Sequence, residues 1–203
     1  MYVQLTTLKD WLLAESLRAD YKWDDVITAI GTGVAGAFDR YCNRTIAYTV
    51  GAKDTFRGNL ECYVLSAYPI LEITSVELQQ GLATGFVLQT LNSVVEDVDL
   101  ESGVLKLSSS LADSQAQIRV TYTGGYWYYT STYTTLPTGD GGTATALPDA
   151  LVRAFRIQCK KDFEEFDKIG LKILEQQKSE KNYPWDERVP PILDTFKRYT
   201  VIA

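Results

Sequence analysis

The chain contains no histidine. That absence removes the commonest general base and the commonest metal ligand, so Ser–His and Cys–His nucleophilic devices are excluded. Cysteine is scarce too. Cys42, Cys62 and Cys159 are odd in number, far apart and without a Cys-x-x-Cys pair. Disulfide frameworks and zinc sites both need paired spacings, so all three are expected to be reduced, buried thiols. No apolar run approaches the roughly 18 residues of a membrane helix. Leu12-Leu13-Ala14 is too short, and too closely flanked by charge, for a signal peptide. A soluble protein made in a cytoplasm is expected. Gly-rich phosphate loops of recognised spacing are missing: Gly139-Asp140-Gly141-Gly142 has no Lys after it.

Paired carboxylates offer little more. Glu164 and Glu165 are neighbours on an expected helix and diverge. Glu72 and Glu77 fall on opposite faces of one expected strand, whereas glycoside hydrolysis needs two carboxyls across one substrate. Glu96-Asp97-Val98-Asp99 lacks the glycine and terminal glutamate of a calcium loop and reads as a solvated turn. The expectation is a protein that is not an enzyme and has no catalytic residue, metal or cofactor.

What is present is an ordinary globular composition, 45% apolar over 203 residues, with a net charge of −6. Such a length supports one well-cored domain. An acidic surface repels nucleic acid, although DNA that must slide without sticking can pass through an acidic protein.

The periodicity divides the chain into helix, sheet and helix. A first helix is expected over residues 6–16, with Thr7 and Asp10 as a weak capping box. A second is expected over 23–41, where Trp23, Val26, Ile27, Ile30, Val34, Phe38 and Tyr41 recur at helical spacing. Gly31, Gly33 and Gly36 interrupt it and imply either a close neighbour or a local break. Short β-like runs follow at 45–50, 61–65, 70–80, 85–90, 94–98, 103–108 and 116–123. A third helix starts at Pro148 with the stripe Leu151, Phe155, Cys159, Phe163, Phe166 and Ile169. Gly170 marks its break, and a short C-terminal helix follows Pro190-Pro191. The fold class is therefore α+β: N-terminal helices (1–44), an antiparallel β section (45–125), an arm or loop (126–146) and a helical C-terminal part (147–203), in a single domain with an extended arm.

The segment 126–146 is the most informative. Compact domains rarely carry a loop of about 20 residues without a use for it. This one is rich in Tyr, Trp, Thr and Gly and almost uncharged. Tyr126, Trp127, Tyr128, Tyr129 and Tyr133 have three readings: a sugar- or base-stacking platform, the core of a final hairpin, or an arm that packs on a neighbouring subunit. Ordering costs about 1–2 kcal/mol per residue in backbone entropy, and a buried aromatic returns roughly 1.5–3 kcal/mol. That balance favours an arm ordered by a neighbour, with Asp140-Gly141 as the tip of a hairpin. On this reading, replacing Tyr126 to Tyr129 by Ser leaves thermal stability nearly unchanged.

Taken in order, these segments resemble the head–tail connector (adaptor, head-completion) proteins of long-tailed bacteriophages. The resemblance is carried by the 5–13 helix, the second helix closing on Tyr41-Cys42-Asn43-Arg44-Thr45, and Tyr68-Pro69-Ile70 with Ile73-Thr74-Ser75-Val76. Tyr122-Thr123-Gly124-Gly125-Tyr126, Leu147-Pro148-Asp149-Ala150-Leu151 and the segment from Pro191-Ile192-Leu193 to Tyr199 complete it. It spans nearly the whole chain, with 77–108 and 126–146 longer than the family pattern. It implies a structural virion protein, usually about twelve copies in a homo-oligomeric ring beneath the portal. Such a ring extends the DNA channel, joins the head to the next neck or tail completion protein, and passes DNA without sequence-specific binding. It also implies assembly from the host cytoplasm into the virion's head–tail interface, with no membrane partner. On this reading Tyr183, Trp185, Phe196 and Tyr199 contact the portal, and truncation after Ser179 leaves a folded chain that no longer joins heads. The alternative class is a carbohydrate- or surface-binding β-module of a phage or bacterial particle.

Overall fold

The computed structural model describes residues 2–57, 60, 62–79, 85–89, 94–108, 117–128, 136–139, 142–169 and 184–198. The fold is α+β, with helices on either side of an antiparallel section.

Helix α1 spans Leu5–Leu12, shorter than its periodicity suggests. Gln4 occupies the N-cap without a side-chain cap, so Thr7 and Asp10 lie inside the helix and form no capping box. Leu13 turns extended and buries itself, which ends the helix. Lys9 is buried and ion-paired to Asp24 at 2.5 Å. It thereby ties α1 to the start of α2, Asp24–Cys42. Asp24 and Asp25 in that first turn also suit the helix dipole. Helix α2 runs unbroken through Gly31, Gly33 and Gly36.

Helix α3, Asp149–Ile169, follows Pro148 as expected, and its Leu151, Phe155 and Cys159 are fully buried. Helix α4 is one short turn, Pro190–Asp194, with the two prolines in the first turn, where a missing N–H costs nothing. The four helices close one core. Phe155 is its centre, with the Tyr2 ring at 5.1 Å and the Phe38 ring at 5.9 Å, nearly perpendicular.

The strands are β1 Thr49–Arg57, β2 Cys62–Val64, β3 Ile70–Gln79, β4 Val87–Gln89, β5 Val95–Asp99, β6 Val104–Leu107, β7 Gln117–Gly124, β8 Thr138–Gly139 and β9 Gly142–Thr143. One sheet has the order β1-β7-β3-β4, a second β2-β6-β5, and β8-β9 is a small ribbon. Strand β7 sits between β1 and β3 and alternates cleanly, with Ile118, Val120 and Tyr122 inward. These three pack with Tyr63, Leu65, Val76, Leu105 and Leu107 in a second core.

Strand β1 departs most from expectation, lying at 49–57 instead of 45–50. The apolar residue that suggested the earlier position, Ile46, is drawn into the helical core. In the strand itself Gly51, Ala52, Lys53 and Asp54, all weak strand formers, separate Thr49-Val50 from Thr55-Phe56, and pairing with β7 holds them extended. Gly51, at φ +67°, accommodates the bulge where the register shifts.

Gly124 and Gly125 end β7 where three backbones converge. A Cβ on Gly124 would lie 2.3 Å from the Ala67 carbonyl oxygen, and one on Gly125 2.4 Å from that of Ala47. Gly125 also has φ +93°, a conformation for glycine. This crossing brings the start of the 126–146 segment against the helices.

One cysteine departs from expectation: Cys62 is exposed at the start of β2, while Cys42 and Cys159 are buried. Burial pushes the Cys42 thiol up to about 12, and it raises Cys159 as well. Only the thiolate is nucleophilic. A thiol reagent at neutral pH is therefore expected to label the native protein at Cys62 alone, and all three cysteines in urea. Native labelling of Cys42 or Cys159 at the Cys62 rate would contradict the packing.

Candidate functional site

The residues singled out as contact surface come from two distant segments, 126–133 and 183–199. The described ones gather around the C-terminal end of α2. Asn43 takes the left-handed conformation (φ 51°, ψ 40°) and stops the helix, returning its N–H to the Arg40 carbonyl. The Arg44 N–H donates to the Asp39 carbonyl at 3.0 Å, completing the terminal turn. The Asp39 side chain then closes over the same turn. It accepts the Tyr2 hydroxyl at 2.7 Å and the Ile46 N–H at 2.9 Å. Burial raises its carboxyl above the ordinary value of 3.8, and these two hydrogen bonds oppose the shift.

Arg44 is buried, and its guanidinium lies 3.3 Å from the centroid of the Tyr68 ring and 5.3 Å from that of Tyr126. Its Nε and one Nη have no hydrogen-bond partner among the described residues. The Tyr126 hydroxyl is raised by burial, with the neighbouring Arg44 charge and its hydrogen bond working against that shift.

Tyr126 also meets Phe196 edge-on at 6.4 Å. Its backbone is bonded both ways to the chain leaving α2: its N–H donates to the Ile46 carbonyl, and its own carbonyl accepts the Tyr48 N–H. Trp127 packs perpendicular to Tyr48 at 4.9 Å and is bridged to residues 145 and 147 by backbone bonds. Tyr126 and Tyr128 are half-buried against the helical core. The start of the 126–146 segment is thus folded onto its own chain, and β8 and β9 form the small hairpin expected near Gly139 to Gly142. Tyr129 and Tyr133 lie outside the described residues.

The C-terminal segment is equally anchored. Trp185 packs on Tyr41 at 5.2 Å and Phe38 at 5.7 Å. Val189 and Leu193 are fully buried in the helical core. The Arg198 N–H donates to the Cys42 carbonyl at 2.8 Å, and its guanidinium reaches the Val64 carbonyl. The expectation that truncation after Ser179 leaves a folded chain fails on this packing, because it would open the core at Val189 and Leu193. Tyr183 and Tyr199 lie outside the described residues.

Three residues that hold this surface escaped the sequence reading: Asp39, Arg44 and Gln158. Fully buried Gln158 donates to Asp162 at 2.7 Å and to the Pro184 carbonyl at 3.2 Å, and accepts the Asp186 N–H at 2.9 Å. It fixes residues 184–186 along α3. A usable signal exists, since Gln158 and Asp162 interrupt the apolar stripe four residues apart, and buried polar groups are hydrogen-bonded.

The arrangement suits binding. Among the described residues no group of three or more His, Cys, Asp or Glu could hold a metal ion, and no helix is long and apolar enough to cross a membrane. Glu77 is engaged by Arg119 across β3 and β7, and Asp99 organises its own turn by accepting the Ser102 hydroxyl at 2.7 Å.

No family model and no curated protein matches the chain. Solved structures do. The chain is similar to one from the neck of an empty GTA particle computed with C6 symmetry, with TM-score 0.61 and 10% identity over 99% of this chain and 92% of that one. It is similar to a chain in the virion of a native gene transfer agent (GTA) particle, with TM-score 0.57 and 9% identity over 99% and 92%. A third, from the neck of the native GTA particle computed with C12 symmetry, gives TM-score 0.52 and 10% identity over 99% and 91%. At these identities the likeness is one of fold.

Two outcomes follow from the geometry. Tyr126→Ser alone is expected to lower stability by about 2 kcal/mol, because the ring is half-buried between Arg44 and Phe196. A denaturation midpoint equal to wild type would mean that the ring is free of its own chain. For Asp39, the raised folded pKa means that the buried charge opposes folding above that pKa. As pH falls through it toward 3.8, the folded chain takes up a proton that the unfolded chain does not. Wild type should therefore gain stability relative to Asp39→Asn as pH is lowered from 7 to about 4. The remaining carboxylates are common to both and cancel. A relative loss in urea titrations would reverse the sign.

Proposed function

We propose that the chain is a structural protein of the neck of a phage-like particle, assembling as a ring beneath the portal. The observation that carries this reading is likeness in fold over 99% of the chain to neck proteins of gene transfer agent particles. It agrees with the ordered resemblance to head–tail connectors and with a site made mainly of aromatic side chains packed around Arg44. In this reading the ring extends the DNA channel and joins the head to the next neck or tail completion protein. DNA passes through without sequence-specific binding, and no catalysis is required. The chain enters the virion from the host cytoplasm.

Tyr126, Trp127 and Tyr128 then form the base of an arm that, with Tyr129 and Tyr133, contacts a neighbouring copy. Trp185 and Phe196, each half-buried on its own core, offer the remaining ring surface to the portal, together with Tyr183 and Tyr199. Such pre-placed aromatics lose little side-chain freedom on binding. The domain organisation proposed is a single connector-like domain over residues 1–203.

Native mass spectrometry of the full chain mixed with portal protein tests this reading. The expected species is a portal ring carrying a closed ring of this chain, usually about twelve copies by the connector resemblance. Absence of any complex, together with binding of soluble glycans that is lost on replacing Tyr128, would support a surface-binding β-module instead.

A further inference from the structure

Helix α3 carries Arg153, Arg156 and Lys160 at i, i+3 and i+7, all exposed and on one side. With Lys161 and Arg188 they line an open groove of about 620 Å³ beside residues 186–188. Five cations there face two carboxylates, Glu164 and Asp186. Asp186 is taken up by Arg188, whose guanidinium donates to both its oxygens at 2.8 and 2.9 Å. Glu164 approaches Lys160 only at 3.9 Å. Arg153 and Arg156 have no carboxylate at ion-pair distance among the described residues, and Arg156 rests over the Trp11 ring at 5.5 Å.

A concentration of positive charge in a chain of net charge −6 implies an acidic counterpart. It lies on β5 and the turn into β6, where Glu96, Asp97, Asp99 and Glu101 are all exposed. Lys106 pairs with Glu96 at 2.9 Å. Hydrogen bonds from Ser102 hold the Asp99 carboxyl below its ordinary range. The groove belongs to the helical core and the hairpin to the sheet core. No ion pair joins them within one chain among the described residues.

We infer that the acidic β5–β6 hairpin of one copy docks into the basic α3 groove of a second copy, head to tail. This rests on the ring reading and names the two faces that meet. Two different patches in contact are what a cyclic assembly requires. Opposite charge on those patches steers encounter and penalises wrong registers.

The test uses the full chain in two reversed forms. One carries Arg153→Glu, Arg156→Glu and Lys160→Glu; the other carries Glu96→Lys, Asp97→Lys and Glu101→Lys, leaving Asp99 to hold its turn. Self-association is followed by sedimentation velocity at low salt, with carbodiimide cross-linking to map the contacts. Each variant alone should associate about tenfold or more weakly than wild type, the scale of losing close charge pairs across an interface. An equimolar mixture should recover association, because each acidic face then meets a basic one. Wild-type association should also fall as salt rises. Wild-type-like association of both variants overturns the docking inference and leaves the ring reading standing. A wild-type chain that never associates, alone or with portal, overturns both. If the mixture fails to recover and the groove variant instead loses affinity for duplex DNA, the groove takes phosphate backbone and the inference falls.

Discussion

The turn at the end of α2 is the constraint on which the remainder depends. One half-buried carboxylate, Asp39, ties the N-terminal Tyr2 and the backbone of Ile46 to the last turn of the helix. An unpaired carboxylate at this depth would be costly, so its two donors are fixed in place. From this point the chain departs in one direction only. Thr45 donates to the Ser66 carbonyl, Tyr48 to that of Tyr126, and Arg198 returns to the Cys42 carbonyl. The two cores, helical and sheet, are therefore joined through a few backbone crossings where glycine alone fits, at Gly124 and Gly125.

This arrangement explains how aromatic residues with open edges can still be rigid. Tyr126 is held between Arg44 and Phe196, and Trp185 between Phe38, Tyr41 and the Gln158 network. A surface fixed in advance loses less entropy when it meets a partner. Charge is sorted separately, with cations along α3 and carboxylates on the β5–β6 hairpin. In the ring proposed above, apolar and aromatic contacts would set affinity and charge would set which faces meet.

Much of the architecture was legible because periodicity reports burial directly. The α2 and α3 stripes, the inward Ile118, Val120 and Tyr122, the Pro148 start and the pairing of Thr138–Gly139 with Gly142–Thr143 all stand where local chemistry puts them. Strand β1 was illegible because Ile46, apolar and β-branched, belongs to the helical core, while the strand beside it is interrupted at its middle by Gly51, Lys53 and Asp54. Its pairing with β7 is a long-range fact that no local propensity encodes. The exposure of Cys62 follows from its place at the outer end of a three-residue strand, against a residue type that is usually buried.

For the site, residue type alone singled out Tyr126, Trp127, Tyr128, Tyr129, Tyr133, Tyr183, Trp185, Phe196 and Tyr199 as expected contact residues, because Tyr, Trp and Phe in weakly charged or turn-rich segments are unusual. It could not reveal that Tyr126 and Phe196 touch, nor that the C-terminal segment closes the helical core. Nor could it assign the roles of Asp39, Arg44 and Gln158, whose partners are brought to them by the fold. The sequence by itself determined the order of helical and strand sections and most of their elements, that no histidine-based chemistry exists, and where aromatic and charged residues concentrate. Only the tertiary structure decided which of these meet, because hydrogen-bond satisfaction and close packing act between residues far apart in the chain.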